Sequence, residues 1–353
     1  MQRLSRLRDL IAQPASEWGA DAQRHLDSLT KPTGSLGRLE ELARRLVEVR
    51  GGAAPAVARP VIFTFAGDHG VVEEGVSAYP QVVTAQMVDN FLRGGAAVNV
   101  LARQAGARVV VADLGVATPL PARPGLVSRR VADGTRNIAR EPAMTREEAV
   151  AAIEAGAELA ETAIADGADL IGLGEMGIGN TTPASAVTAA LTGAPVEEVT
   201  GRGTGIDDAT WRRKVEVVRR ALAINRPDRD DGIDVLARVG GFEIGGLAGV
   251  ALAGAAHRVP VALDGFVATA AGLIAVAIVP AARHFLFASH RSVEPGHGAA
   301  LRHLELEPYL DLGMRLGEGT GAALFIHLAR AAAGIYTEMA TFKSAGVDER
   351  CEA

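Results

Sequence analysis

The chain has a single cysteine, Cys351, two residues from its end. No disulfide can close within it, and one chain cannot supply a cysteine-based zinc site. Aromatic residues are scarce at 4%, so the core has to come from Ala, Val, Leu and Ile. An excess of positive charge is lacking too. The formal balance is −6, which argues against a general nucleic-acid binder. Long apolar runs are almost missing. The one candidate, 265–282, carries no charge and touches the lower limit for a membrane span. It contains Thr269, Gly272 and Pro280 and follows a strand-like segment, so a buried or subunit-interface helix is expected instead. At the start, Leu4, Leu7, Leu10 and Ile11 share one helical face among Arg3, Arg6, Arg8 and Asp9. That is an amphipathic helix and not the continuous apolar centre of a signal peptide. A cytoplasmic protein without membrane contact is expected.

Glycine is abundant, with 41 residues, and it falls at element boundaries. The repeated unit is an apolar strand, a polar glycine turn and a helix. Val61–Ala66 leads to Gly67-Asp68-His69-Gly70. Arg108–Ala112 leads to Asp113. Val259–Leu263 leads to Asp264-Gly265, and His284–Ala288 leads to Ser289-His290. This order predicts an α/β fold with a mostly parallel sheet and helices on both faces. Residues 1–50 read as helical, with Ser35 as a cap for the second stripe and Glu40/Arg44 and Glu41/Arg45 as surface pairs. Residues 116–143 read as an irregular surface loop. Thr145-Arg-Glu-Glu148 has capping-box spacing, and Asp207 caps a charged helix over 208–222. The helical start and end are expected to pack together as a smaller cap, 1–55 with 325–353, beside a larger α/β domain, 56–324.

The stretch Asp169–Ser185 is the most informative. A short apolar run breaks into Gly172, Gly174, Gly177 and Gly179 around Glu175. It ends at Thr182, a plausible N-cap, and Pro183, a plausible first helical residue. A strand, a glycine turn and a helix N-terminus in that order make a site for an anion. Gly172-x-Gly-x-x-Gly177 is also a literal dinucleotide fingerprint. The acid that should end the next strand is in doubt, because Glu197 and Glu198 follow an apparent turn. Three further turns, 201–205, 264–265 and 317–321, let backbone approach a ligand closely. Lys214 reaches a phosphate from its helix or is one more solvated cation; the residues leave both open. Glu318, between two glycines, is a candidate general base. Asp68-His69 and the set His290, Glu294 and His297 raise a metal site, although Pro295-Gly296 breaks any helical ligand spacing. Whether Asp68, His69, His290 and His297 are functional or structural stays open.

Six phrases, in order along nearly the whole chain, carry a resemblance. They are Lys31-Pro-Thr-Gly-Ser-Leu-Gly-Arg38, Ala66-Gly-Asp-His-Gly-Val71, Gly75-Val-Ser-Ala-Tyr-Pro-Gln81, Gly172-Leu-Gly-Glu-Met-Gly-Ile-Gly-Asn-Thr-Thr182, Gly201-Arg-Gly-Thr-Gly-Ile-Asp207 and Arg315-Leu-Gly-Glu-Gly-Thr-Gly321. Together they resemble the nicotinate-nucleotide–dimethylbenzimidazole phosphoribosyltransferases of the cobalamin pathway. The resemblance implies transfer of phosphoribose from nicotinate mononucleotide to 5,6-dimethylbenzimidazole, giving α-ribazole 5′-phosphate and nicotinate. It implies a homodimer, no metal or other cofactor, and a Rossmann-like sheet of six strands with a small helical domain from both chain ends. It makes Glu318 the catalytic base. It assigns phosphate and ribose contacts to Glu175, Gly177, Gly179, Gly203, Thr204, Gly205, Lys214, Asp264 and Gly265, and the base pocket to Ser77, Tyr79, Gln86 and Leu316. Under that chemistry Glu175 becomes an electrostatic partner for the ribosyl cation. The rivals are a dinucleotide-dependent oxidoreductase and a non-catalytic nucleotide-binding protein.

Overall fold

The computed structural model describes residues 2–348; Cys351 lies outside them. Six strands form one sheet: β1 (Pro60–Gly67), β2 (Arg108–Gly115), β3 (Leu126–Ser128), β4 (Leu170–Met176), β5 (Val261–Leu263) and β6 (Leu286–Ala288). Every pairing is parallel, in the order β3-β2-β1-β4-β5-β6. The chain winds outward from β1 to β3, then returns to β4 beside β1 and winds out the other way. The carboxyl ends of β1 and β4 therefore flank the point where winding reverses, the place where such sheets leave a crevice. β3 corrects the expectation of an irregular 116–143. It is a three-residue, partly exposed edge strand, too short to show a period.

β1 is buried along its whole length, as a central strand covered on both faces must be. Its side chains alternate between the covers. Phe65 packs against the helix Phe242–Ala256 at Gly246, while Ile62 and Thr64 face the start of the helix Thr320–Glu338. The apolar run at 265–282 contains the helix Phe266–Ile278, buried from Phe266 to Ala275 between other helices, and no described helix is long and apolar enough to cross a membrane.

Residues 28–30 and 340–342 are joined by backbone hydrogen bonds. Thr30 N–H donates to Ala340 O at 3.0 Å, and Phe342 N–H donates to Ser28 O at 3.0 Å. Leu4, Leu7 and Ile11 are buried, but Leu10 is exposed, and Arg3 and Arg6 pair with Glu161 on the helix Arg146–Ala165. Ser35 does not cap the next helix, which runs Arg38–Val49 after Gly37. Glu40 turns inward instead, accepting Leu36 N–H at 2.9 Å and meeting Lys31 Nζ at 2.8 Å. Arg45 lies over the Phe287 ring. Other partners replace both expected surface pairs, with Arg44 pairing to Glu48 and Glu41 to Arg38 along the same helix. The caps at Thr145 and Asp207 form as read, the first as a full capping box.

Candidate active site

Gly172 and Gly174 do not belong to a turn. They lie inside β4, and their role is close approach. A Cβ on Gly172 would meet Ala322, and one on Gly174 would sit 2.2 Å from Glu318 O. The missing side chains let the 317–321 turn rest directly on the strand. β4 therefore carries Glu175 to its end and brings Glu318 to the same place. The turn proper begins at Gly177, and the following helix is Thr181–Thr192. Thr182 is thus inside the helix, and Asn180 stands at its start, with its side-chain amide donating to the Glu175 carboxylate.

The Glu318 turn is held from three sides. Gly317, Glu318 and Gly319 all have positive φ, and for Glu318, at 65°, that backbone is costly. Thr64 Oγ1 donates to Glu318 O at 2.9 Å. Asp264 accepts Gly319 N–H at 2.9 Å and Gly321 N–H at 2.6 Å. The Glu318 carboxylate itself takes Val98 N–H at 3.3 Å. Burial raises the Glu318 pKa above the usual range, with Asp264 adding to the rise. Burial also pushes Glu175 up to about 8, against the opposing Asn180 hydrogen bond and with help from Asp264, Glu243 and Glu318.

The cavity that these carboxyls line is also lined by cations. Asp207 starts the helix Asp208–Asn225, which delivers Lys214 into the interior at 1% exposure. A solvated helix face is therefore ruled out. Lys214 Nζ donates to Thr181 Oγ1 at 2.6 Å, at the N-terminus of the helix after β4. Burial lowers Lys214 to about 8, with Glu294 opposing the fall. Gly203, at positive φ, packs on Thr181 and donates its N–H to Glu294 at 2.9 Å. Arg315 bridges to Gly203 O at 3.0 Å.

This cavity has a volume of about 440 Å³, within the ~300–1,000 Å³ range of small-molecule sites. Of the catalytic and substrate-binding residues that the resemblance implies, Ser77, Tyr79, Glu175, Gly177, Gly179, Gly203, Thr204, Lys214, Gly265, Leu316 and Glu318 line it, as do His290 and Glu294 from the metal candidates. Three of the implied catalytic and substrate-binding residues do not. Gln86 points to solvent from the helix Val82–Arg93, whose Val83 and Met87 line the wall instead. Gly205 closes its turn outside the wall. Asp264 is buried behind it, so its place is support for the Glu318 turn. Tyr79 and Leu316 are about half exposed, forming an apolar lip. Asn180, Ser292, Glu294 and Arg315 line the cavity without having been assigned to the substrate from sequence; Asn180 and Arg315 stand in phrases that carry the resemblance, Glu294 is a metal candidate, and Ser292 has no signal.

The histidines are engaged within the fold. His69 Nε2 meets Glu243 at 2.8 Å in the interior. His297 Nδ1 accepts Ser292 N–H at 2.9 Å, which leaves Nε2 to donate to Thr269 Oγ1 at 3.0 Å; burial pushes His297 down to about 3, so it is neutral. His290 lies 3.6 Å from Asp264. Among the described residues, no group of three or more His, Cys, Asp or Glu is disposed to hold a metal ion.

The dinucleotide reading fails on the same geometry. Its first two glycines are strand residues, and Glu197 and Glu198 sit in a short helix, Val196–Val199, and not at a strand end.

Comparisons with known proteins point to one family. A family model described as "Phosphoribosyltransferase" matches residues 11–347. The nicotinate-nucleotide–dimethylbenzimidazole phosphoribosyltransferase of Chloroflexus aggregans is 58% identical over 332 residues, 94% of each chain. That of Geobacter metallireducens is 58% identical over 330 residues, again 94% of each. The crystal structure of CobT from Thermus thermophilus superposes with a TM-score of 0.92 at 52% identity, covering 95% of this chain and 100% of that one. With this coverage, the chain belongs to the nicotinate-nucleotide–dimethylbenzimidazole phosphoribosyltransferase family.

Proposed function

We propose that this protein transfers the phosphoribosyl group of nicotinate mononucleotide to 5,6-dimethylbenzimidazole, with Glu318 as the general base. The observation that supports the reading is the Glu318 turn: a carboxylate held in a costly backbone, buried, and lining the same cavity as a buried lysine. Strain of that kind persists where the surroundings enforce it.

The chemistry explains the layout. Nicotinate departs from C1′ as a neutral ring nitrogen, so its exit needs no acid. The benzimidazole is a weak nucleophile with an N–H. As its other nitrogen forms the bond to C1′, Glu318 takes that proton, and a raised pKa suits a base working near neutrality. Attack from the face opposite nicotinate inverts the β-linked donor to an α-linked product. Lys214 and the N-terminus of the helix after β4 receive the phosphate, and the apolar lip of Tyr79 and Leu316 covers the planar base. We include in the proposal a homodimer, a cytoplasmic location and the two-part division of the chain; light scattering of the purified protein tests the first.

Glu175 adds a signed expectation. With its pKa near 8 in the unliganded site, it is protonated at pH 7. A pyridinium donor favours the ionised form, so binding releases a proton between about pH 5 and 8. Calorimetry in buffers of different ionisation enthalpy is expected to show release of most of one proton at pH 7, and none in Glu175→Gln. Proton uptake would contradict the assignment. Lys214→Ala is expected to weaken donor binding by about 1.5–3 kcal/mol through loss of a charge-assisted hydrogen bond; unchanged affinity would remove Lys214 from the phosphate site. The overall reading is tested by single-turnover release of nicotinate on adding dimethylbenzimidazole, and by a thermal shift with nicotinate mononucleotide but not with NAD.

A further inference from the structure

The helix Ala97–Gln104 begins without a cap of its own. Its N-cap position is Ala96, whose methyl offers no acceptor, although the first amides of a helix lack intrahelical partners. An ordinary cap would offer its own oxygen to the second or third amide. Here Asn99 Oδ1 turns back to accept Ala96 N–H at 3.2 Å, and the Val98 N–H goes elsewhere. It donates to Glu318 Oε2 at 3.3 Å, across 220 residues of chain. The Val98 side chain is buried against the same turn, since a Cβ on Gly319 would lie 3.5 Å from Val98 Cγ2. Glu318 is thus the first-turn acceptor of this helix. Among the described residues, Val98 N–H is the one hydrogen-bond donor to its carboxylate.

We propose that Val98 is a positioning residue, whose backbone N–H holds Oε2 of Glu318 and leaves Oε1 to take the proton of the incoming base. The inference rests on the general-base reading of Glu318 above. An oxygen that accepts a hydrogen bond has part of its charge neutralised and is the less basic of the two. The bond also favours the ionised carboxylate, as does the positive end of the helix dipole. Burial and Asp264 act the other way and favour the protonated form. Glu175 faces the same turn from β4, and His290 lies 3.6 Å from Asp264. Lys214, Arg202, Arg315 and Glu294 line the same cavity, while the first turn of the helix, Ala97 to Val100, has no ionisable side chain. The amide therefore keeps Glu318 ionised, and ready to accept, at a pH where burial alone would leave it protonated.

NMR and kinetics test it together. With the valine amides labelled, the Val98 amide proton is followed against pH in the unliganded protein. A proton donated to a carboxylate moves downfield as that carboxylate ionises. The expected result is such a shift in wild type, lost in Glu318→Gln. A Val98 resonance that does not titrate in wild type, or titrates equally in Glu318→Gln, overturns the inference. This arm changes nothing at Val98 and stands whether or not a Val98 variant folds. The rate arm replaces Val98 by its α-hydroxy acid, which keeps the side chain and turns the N–H into an ester oxygen. Loss of the donor raises the Glu318 pKa. The acid limb of the kcat–pH profile is expected to move up by about one unit, so that turnover on that limb falls about tenfold while the donor KM holds. The control is the same replacement at Val100, whose N–H serves the helix by donating to Ala96 O at 3.2 Å. It is expected to lower the melting temperature and leave the limb in place. A limb that stays put in the Val98 ester, or moves equally in the Val100 ester, marks a purely structural bond and overturns the inference. Wild-type turnover in Glu318→Gln would instead overturn the general-base reading itself.

Discussion

Glu318→Gln is expected to lower kcat by about 10²–10⁴-fold, the usual span for a positioned general base, while donor affinity changes little. Gln preserves the length of the side chain and its acceptor for Val98 N–H, so the turn stays in place. What it removes is the ability to take the benzimidazole proton. The KM for the donor should hold within a few-fold, because the proposed phosphate contact is a different lining residue, Lys214. A drop in kcat with KM preserved is the pattern of an interaction made only in the transition state. Equal turnover in the variant would sink the base assignment. An added external base that restores part of the rate would support it.

Gly174→Ala is the second large effect, and it arises without touching a functional group. The new methyl would lie 2.2 Å from Glu318 O and 2.6 Å from Gly319 N. Neither atom is free to retreat. Glu318 O is tied to Thr64, and Gly319 N–H to Asp264. Either the turn lifts off β4 or the strand gives way. Lifting the turn moves the carboxylate, and a shift of about 1 Å at a reacting group is worth about 10²-fold in rate. Forcing the methyl in without movement costs about 1–3 kcal/mol as overpacking. The expected outcome is a folded protein with a lowered melting temperature and kcat reduced by about two orders of magnitude. Wild-type kcat and stability together would show that the turn does not rest on Gly174 as described.

Much of this architecture is legible in the residues, and the failures have physical causes. The repeat of apolar run, polar glycine turn and helix announces the parallel sheet, and five of its strands are visible as apolar runs. The sixth, β3, is three residues at an edge, where neither burial nor alternation leaves a trace. Glu318 is readable because a carboxylate between two glycines has no ordinary structural use. The glycines of β4 mislead, since glycine for close approach looks the same in sequence as glycine for a turn. Only the 317–321 turn, nearly 150 residues away, tells the two apart. Asp264 is picked out as a polar residue at a strand end, and its hydrogen-bond partners are backbone amides of that same turn, which no sequence pattern announces. Lys214 looks like any cation on a charged helix until its burial is seen. Glu294 stands out in the sequence only as a metal candidate beside His290 and His297, because the Gly201 it packs on and the Lys214 it interacts with are 80 or more residues away in the chain.

The most direct test of the central claim is product analysis by NMR after incubating the purified protein with nicotinate mononucleotide and dimethylbenzimidazole, beside the Glu318→Gln variant. The account predicts equimolar nicotinate and an α-linked ribazole phosphate from the wild type, with formation in the variant slower by two orders of magnitude or more. A β-linked product, nicotinate release without ribazole phosphate, or equal rates in the two proteins would contradict it.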